Sequence, residues 1–257
     1  METVKLLTSC VKFEQSIACV AFDFDGTLAL LNIDFPAMRR SVLELVVSFG
    51  VPGDGLDHLL ALEMIEEARK RILARQDGGA EAFATEAEGL IRTFEIEGAD
   101  RGSLFPGVMD MFAELRRAKV KTAIVTRNCV ASVRKLFPGV EEVCACIVTR
   151  EHTPLVKPHP EHLRIALREL GADPEGTVMV GDHPMDMELG KKAGTLAAGV
   201  LTGYAGEALL REAGADIVVI STEATIHAHQ ALVALGKMEN ARGAERGIVR
   251  GIGLNPG

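Results

Sequence analysis

Five short apolar or β-branched runs, each followed by a turn and a helical pattern, limit the folds open to this chain more than any other property of its sequence. They fall at residues 17–22, 122–126, 143–149, 177–180 and 216–220. Continuous apolar strands are buried on both faces, and strands that alternate with helices pair in parallel. The expected fold class is therefore α/β, with a Rossmann-like, doubly wound parallel sheet as its core. About 100 residues separate the first run from the second, far more than one crossover helix needs, so a further unit is inserted between them.

Residues 34–101 carry helical patterns and no strand signal. Asp34 and Pro36 supply a cap and a first-turn proline for a helix running toward Phe49, and the glycine-containing stretch 50–55 breaks it. A second helix is expected over about residues 56–75, closed by Asp77-Gly78-Gly79, and a third over about residues 80–97. Residues 98–103 return the chain to the sheet. The insert reads as a small all-helical cap, residues 34–103, on a core formed by residues 1–33 and 104–257, with hinges near 31–33 and 98–103. The tail beyond about Leu235 sets Arg242, Arg246 and Arg250 among glycines and reads as loosely ordered.

Composition narrows the partners. The formal net charge is -8, and the short basic stretch Arg69-Lys70-Arg71 interleaves with Glu66 and Glu67 at ion-pair spacing, which argues against nucleic acid. Aromatic residues make up 4%, with no Trp and only Tyr204 as tyrosine, so base-stacking platforms are scarce. No apolar window reaches the roughly 18 residues of a membrane span, and no leader pattern opens the sequence. The five cysteines are odd in number, and Cys19, Cys144 and Cys146 fall in apolar runs, which suits a reduced, cytoplasmic setting. Monomer and homodimer both stay open.

Asp23-Phe24-Asp25-Gly26-Thr27 directly follows the first run. Sites in open α/β sheets form beyond the carboxyl ends of strands, so both acids project into that crevice, alternate positions placing them on one side. Two carboxylates this close repel unless a cation lies between them, and Mg²⁺ takes oxygen ligands of this kind. Gly26 permits a turn that a side chain would obstruct. Taken alone, the pair reads more readily as a solvated loop.

This motif resembles the signature of the haloacid dehalogenase superfamily of phosphohydrolases, and three further stretches match the family in order at strand ends. Thr126 closes Ala123-Ile124-Val125 and matches the second motif. Lys157, in Val156-Lys157-Pro158-His159-Pro160, matches the third. Val180-Gly181-Asp182-His183-Pro184-Met185-Asp186 resembles the fourth, two acids four residues apart after a strand. Leu104-Phe105-Pro106-Gly107-Val108 is similar to members with a helical cap after the first motif, as in phosphoglycolate phosphatases.

The resemblance implies a Mg²⁺-dependent hydrolase of a small phosphorylated metabolite, such as phosphoglycolate or a sugar phosphate. Asp23 would attack phosphorus to give an aspartyl-phosphate, and Asp25 would protonate the leaving alkoxide, then activate water. Lys157 and Thr126 would stabilise the phosphoryl oxygens, with Gly26, Thr27, Arg127 and Asn128 completing the binding set. Asp23, Asp182 and the Asp25 backbone carbonyl would hold the metal. Asp186 would act through a bound water or by positioning Lys157, and Thr27 would orient Asp25 or cap the turn.

Other readings stand beside these. Asn128 is also ordinary turn chemistry, and Arg39 and Arg40 either meet an anionic substrate tail or sit on an exposed helix face. His183 reads as a loop histidine that also lies within reach of a substrate. His152, His159 and His162 cluster without a familiar zinc spacing. Cys144 and Cys146 read as packing on one strand face. Dehalogenases lack the second acid, so Asp25 favours phosphoryl chemistry. A phosphomutase shares all four motifs, a phosphonate hydrolase would need a cap lysine for which Lys70 is the one candidate, and a non-catalytic binding module would have lost an acid.

Overall fold

The computed structural model describes residues 17–76 and 78–219, so the tail beyond Leu235 lies outside the described residues. Its centre is a six-stranded parallel sheet. In chain order the strands are β1 (Cys19–Phe22), β4 (Lys121–Val125), β5 (Cys146–Val148), β6 (Thr177–Gly181), β7 (Leu196–Val200) and β8 (Ile217–Val219); in space they run β5-β4-β1-β6-β7-β8. The order reverses at β1, whose Phe22 is level with Ile124 of β4 and Val180 of β6. Three strands therefore end together at the topological switch point, where doubly wound folds build their sites.

Alternation along the strands explains why both faces are covered. Val20 and Phe22 point into one apolar cluster with Met111, Phe112 and Leu115 of α4 (Val108–Arg117), and the Phe22 and Phe112 rings lie 5.7 Å apart. Cys19 and Ala21 point into another with Leu163, Ala166 and Leu167 of α7 (Glu161–Leu170) and with Leu189 and Ala193 of α8 (Pro184–Ala193). The short helices α5 (Val130–Leu136), α6 (Val140–Val143) and α9 (Glu207–Glu212) complete the layers.

The insert leaves and re-enters through two strands, β2 (Ala29–Leu30) and β3 (Ser103–Leu104), which pair antiparallel. Between them stand α1 (Phe35–Ser48), α2 (Ala61–Arg75) and α3 (Ala80–Asp100). These helices share an apolar cluster of their own, in which Val42, Met64, Ile72, Phe83 and Ile91 are buried. Asp34 caps α1 by accepting from Ala37 N at 2.8 Å, and Pro36 occupies its first turn. Glu66–Lys70 and Glu67–Arg71 pair on α2 at 3.5 and 2.9 Å.

Four local expectations change. The second insert helix starts at Ala61 rather than near residue 56, because residues 54–59 form turns and the Arg39 guanidinium grips the Asp57 carbonyl. The third runs to Asp100, so Gly98 lies inside α3 rather than in a connection; a Cβ there would strike Ile33 of the outgoing segment, and the two crossings pack too closely for one. Residues 143–149 split into the end of α6 and the strand β5. Cys144 therefore precedes the strand, and the two thiols join different apolar clusters instead of sharing one face. The strand β7, Leu-Ala-Ala-Gly-Val, carries too little β-branched character to announce itself.

Candidate active site

Asp23 leaves β1 with its N–H bonded to Val180 O at 2.8 Å, which sets it between β1 and β6. Lys157 approaches from the loop before α7, and its Nζ lies 2.6 Å from Asp23 Oδ1 and 2.7 Å from Asp186 Oδ1. All three are nearly removed from water. Burial alone would depress the Lys157 ammonium, but Asp186 and Asp23 together outweigh it and hold its pKa above the ordinary lysine value.

Asp186 owes its place to helix capping. His183 is the N-cap of α8, Pro184 is its first residue, and Asp186 three positions on returns its Oδ2 to His183 N at 3.1 Å. A Cβ on Gly181 would collide with the Asp186 carboxylate, so the strand end must be bare. Asp182 is held from two sides: Thr27 Oγ1 donates to its Oδ1 at 3.1 Å, and Tyr204 N donates to its Oδ2 at 2.7 Å. Thr27 thus serves Asp182 rather than Asp25. Gly26, with φ +79°, and Gly203 press against the same carboxylate and leave no room for a Cβ.

Asp23, Asp182 and Asp186 each offer an oxygen within 4.8 Å of the others. Burial first, and then mutual repulsion, pushes the Asp182 and Asp186 carboxyls above the usual carboxylate range, although Lys157 opposes both shifts. Three acids share one ammonium, an imbalance that a hard divalent cation with oxygen ligands would relieve, so the donor set fits Mg²⁺. The Asp25 carboxylate is not in this cluster. Its Oδ1 accepts from Leu31 N at 2.8 Å, and burial, helped by Asp23 and Asp182, raises it to about 7 against that bond.

A cavity of ≈ 540 Å³ opens over these groups. Asp23, Asp25, Thr126, Arg127, Asn128, Lys157, Asp182, His183, Met185, Asp186 and Tyr204 line its sheet side, whereas Gly26 and Thr27 lie behind Asp182 and outside the lining. Asn128 shows the turn contact, its N–H bonding back to Thr126 Oγ1 at 3.2 Å, while its Nδ2 is buried with no partner among the described residues. Arg127 forms a two-pronged ion pair with Glu63 at the start of α2, at 2.8 and 2.9 Å. His183 lines the cavity with its ring stacked on Tyr204, centroids 4.6 Å apart. From the helical side Arg39 lines it and Arg40 does not. Lys70 is likewise outside the lining, and the Nδ1 atoms of His152, His159 and His162 each accept a nearby backbone N–H instead of meeting at a metal.

Sequence motifs missed several contributors. Glu95, buried on α3, accepts from Cys129 N and from Arg150 Nη1, both at 2.9 Å, and so ties the insert to the loop after β4. The Thr202-Gly203-Tyr204 turn that shapes Asp182 carries no signal beyond a glycine. Glu63 is indistinguishable in sequence from any acid in a helix's first turn.

The model of the haloacid dehalogenase-like hydrolases matches residues 17–194. The N-acetylmuramic acid 6-phosphate phosphatase of Pseudomonas putida is 29% identical over 209 residues, covering 79% of this chain and 92% of its own. A phosphoglycolate phosphatase of Cupriavidus necator is 31% identical over 222 residues, covering 81% and 92%. A hydrolase from Pseudomonas syringae superposes with a TM-score of 0.60 at 20% identity, over 83% of this chain and 98% of that one, a likeness of fold. With the switch-point acids and the lysine between them, these matches make the chain a member of the haloacid dehalogenase-like hydrolases.

Proposed function

We propose that the protein is a Mg²⁺-dependent phosphatase of a small phosphorylated metabolite and works through an aspartyl-phosphate on Asp23. The observation that carries this reading is the convergence of Asp23, Lys157 and Asp186 through bonds of 2.6 and 2.7 Å at the floor of a cavity that Thr126 and Asn128 also line. The names of the relatives, which specify N-acetylmuramic acid 6-phosphate and phosphoglycolate, support a substrate of that size.

Asp23 attacks phosphorus while Lys157 offsets the charge of the phosphoryl oxygens, and the phosphoryl group passes from the ester oxygen to the Asp23 carboxylate. Thr126 Oγ and the unpartnered Asn128 Nδ2 are donors available to those oxygens. Asp25 gives its proton to the departing alkoxide and takes one from the water that cleaves the acyl phosphate. A carboxyl raised to about 7 suits both tasks. Mg²⁺ held by Asp23, Asp182 and the Asp25 carbonyl, with Asp186 beside it, would supply positive charge to the phosphoryl group. The helices α1–α3 of the insert serve as a cap over the core, whose described residues are 17–33 and 104–219, excluding water from the cavity. Four buried free thiols among the described residues, Cys19, Cys129, Cys144 and Cys146, suit a reducing cytoplasm. Among the described residues no helix is long and apolar enough to cross a membrane.

The test is phosphate release from a panel of small esters, with Mg²⁺ and with chelator. Release from a narrow group, abolished by chelator, supports the reading; no release from any ester by folded, Mg²⁺-supplied protein overturns it.

A further inference from the structure

Three cations line the cavity: Lys157, Arg127 and Arg39. Two are neutralised, Lys157 by Asp23 and Asp186 and Arg127 by Glu63. Arg39, on the first turns of α1, has no carboxylate partner among the described residues. Its Nη2 donates to the Asp57 carbonyl, and its Nε is buried with nothing to bond among the described residues. A guanidinium donor stripped of water and left unpaired is costly, and such a group is retained where a ligand completes it.

The surroundings say what kind of ligand. Around Arg39 the helical side of the cavity is largely hydrocarbon, with Phe35, Met38, Leu60 and Ile91, and its acid, Glu95, is already taken by Cys129 N and Arg150, so it offers little to the several hydroxyls of a neutral sugar. An anion is attracted strongly there, and a guanidinium fork matches a carboxylate in plane. One guanidinium with a donor already committed to Asp57 balances a single negative charge better than the two of a second phosphoryl group, whose desolvation against apolar walls would be left uncompensated. The Asp57 contact also stiffens the arginine, which lowers the entropy lost when it binds.

We propose that Arg39 is the specificity-determining residue of this site and receives a carboxylate on the leaving group, making the substrate class phosphorylated small carboxylic acids. The inference rests on the phosphatase reading for the position of the phosphoryl group, over Asp23 and Lys157, and assigns the other end of the same substrate. Asp57 then acts as a positioning residue through its backbone carbonyl.

The experiment separates the two. Binding of phosphonoacetate and of ethylphosphonate, non-hydrolysable analogues with and without a carboxylate, is measured by calorimetry in Mg²⁺ for wild type, Arg39→Gln and Arg39→Lys. Phosphate release from 2-phosphoglycolate and 2-hydroxyethyl phosphate is measured in parallel. Wild type is expected to prefer the carboxylate ligand by about 10-fold or more, the size of a charge-assisted hydrogen bond. That preference vanishes in Arg39→Gln and shrinks in Arg39→Lys, with ethylphosphonate affinity changed less than about twofold. Equal binding of the two ligands by wild type, or a preference that survives in both variants, overturns the inference. Calorimetry needs no turnover, so a carboxylate preference without phosphate release leaves Arg39 standing and removes hydrolysis instead. Should Arg39→Gln fail to fold, the wild-type preference and Arg39→Lys still decide.

Discussion

On the sheet side of the cavity, charged groups lean on one another: Lys157 on Asp23 and Asp186, Asp182 on Thr27 and Tyr204, Arg127 on Glu63. On the helical side Phe35, Met38, Leu60 and Ile91 present carbon, and Arg39 stands among them with its Nε unbonded. The first wall is fixed before a ligand arrives, as charge stabilisation in a reaction requires. The second is mostly apolar, with Glu95 already paired to Arg150 and Arg39 without a carboxylate partner among the described residues, as grip and exclusion of water require. On the proposed reading chemistry and selectivity are separable, the one on strand ends and the other on inserted helices.

The two walls also rest on different cores, which gives the largest test of the contrast. Ile72 is fully buried in the cluster formed by the inserted helices. Ile72→Ala should cost about 2–5 kcal/mol by denaturant melting. Hydrogen exchange should place that loss in α1–α3, with β1, β4 and β6 protected as before. Equal loosening of the sheet would mean that the walls are one cooperative unit.

Gly26→Ala tests the rigid wall. The added methyl meets the Asp182 carboxylate, in a backbone conformation that alanine disfavours. Displacing a site carboxylate by this much should lower kcat about 100-fold, with KM nearly unchanged. A fall confined to KM would put Asp182 in binding rather than in the reaction. Metal linkage gives a comparable effect in stability. Mg²⁺ at about 100 times its Kd should stabilise wild type by about 2.7 kcal/mol, read as a rise in Tm, and Asp182→Asn should abolish the rise. A variant that kept the full rise would place the metal elsewhere.

The smallest effect belongs to the contact that spans the two walls. Glu63→Gln removes the ion pair to Arg127 while keeping the side chain's size. Glu63 is partly exposed, so solvent screening holds the stability loss to about 1 kcal/mol or less. KM should change by a few-fold and depend on salt less than in wild type. An effect on kcat as large as that of Gly26→Ala would show that the walls are coupled in the reaction itself.

The same contrast governs how much could be read from sequence. Asp23 and Asp182 were legible because each directly follows a strand and Asp186 because it opens a helix, whereas Lys157 lies in the loop before α7 and was singled out only by its likeness to the family's third motif. Asp186 is the clearest instance: the spacing that caps α8 also delivers its second oxygen to Lys157. Contacts made only by tertiary approach were not legible. Thr27 was expected beside Asp25, its neighbour in sequence, but donates to Asp182, 155 residues away. Glu63 and Glu95 look in sequence like surface acids on amphipathic helices, and only the docking of α2 and α3 brings them to Arg127 and Arg150. Arg39 and Arg40 are adjacent and chemically identical, and helix orientation alone decides which one lines the cavity.

Whether Asp23 itself carries the phosphoryl group can be read by trapping. Wild-type protein turning over its best ester in Mg²⁺ is quenched in acid and reduced with borohydride, and the peptide bearing residue 23 is analysed by mass spectrometry. Conversion of Asp23 to homoserine, dependent on both ester and Mg²⁺ and accompanied by loss of turnover in Asp23→Asn, is the expected result. An unmodified Asp23 together with undiminished phosphate release by Asp23→Asn would show that the nucleophile is another group.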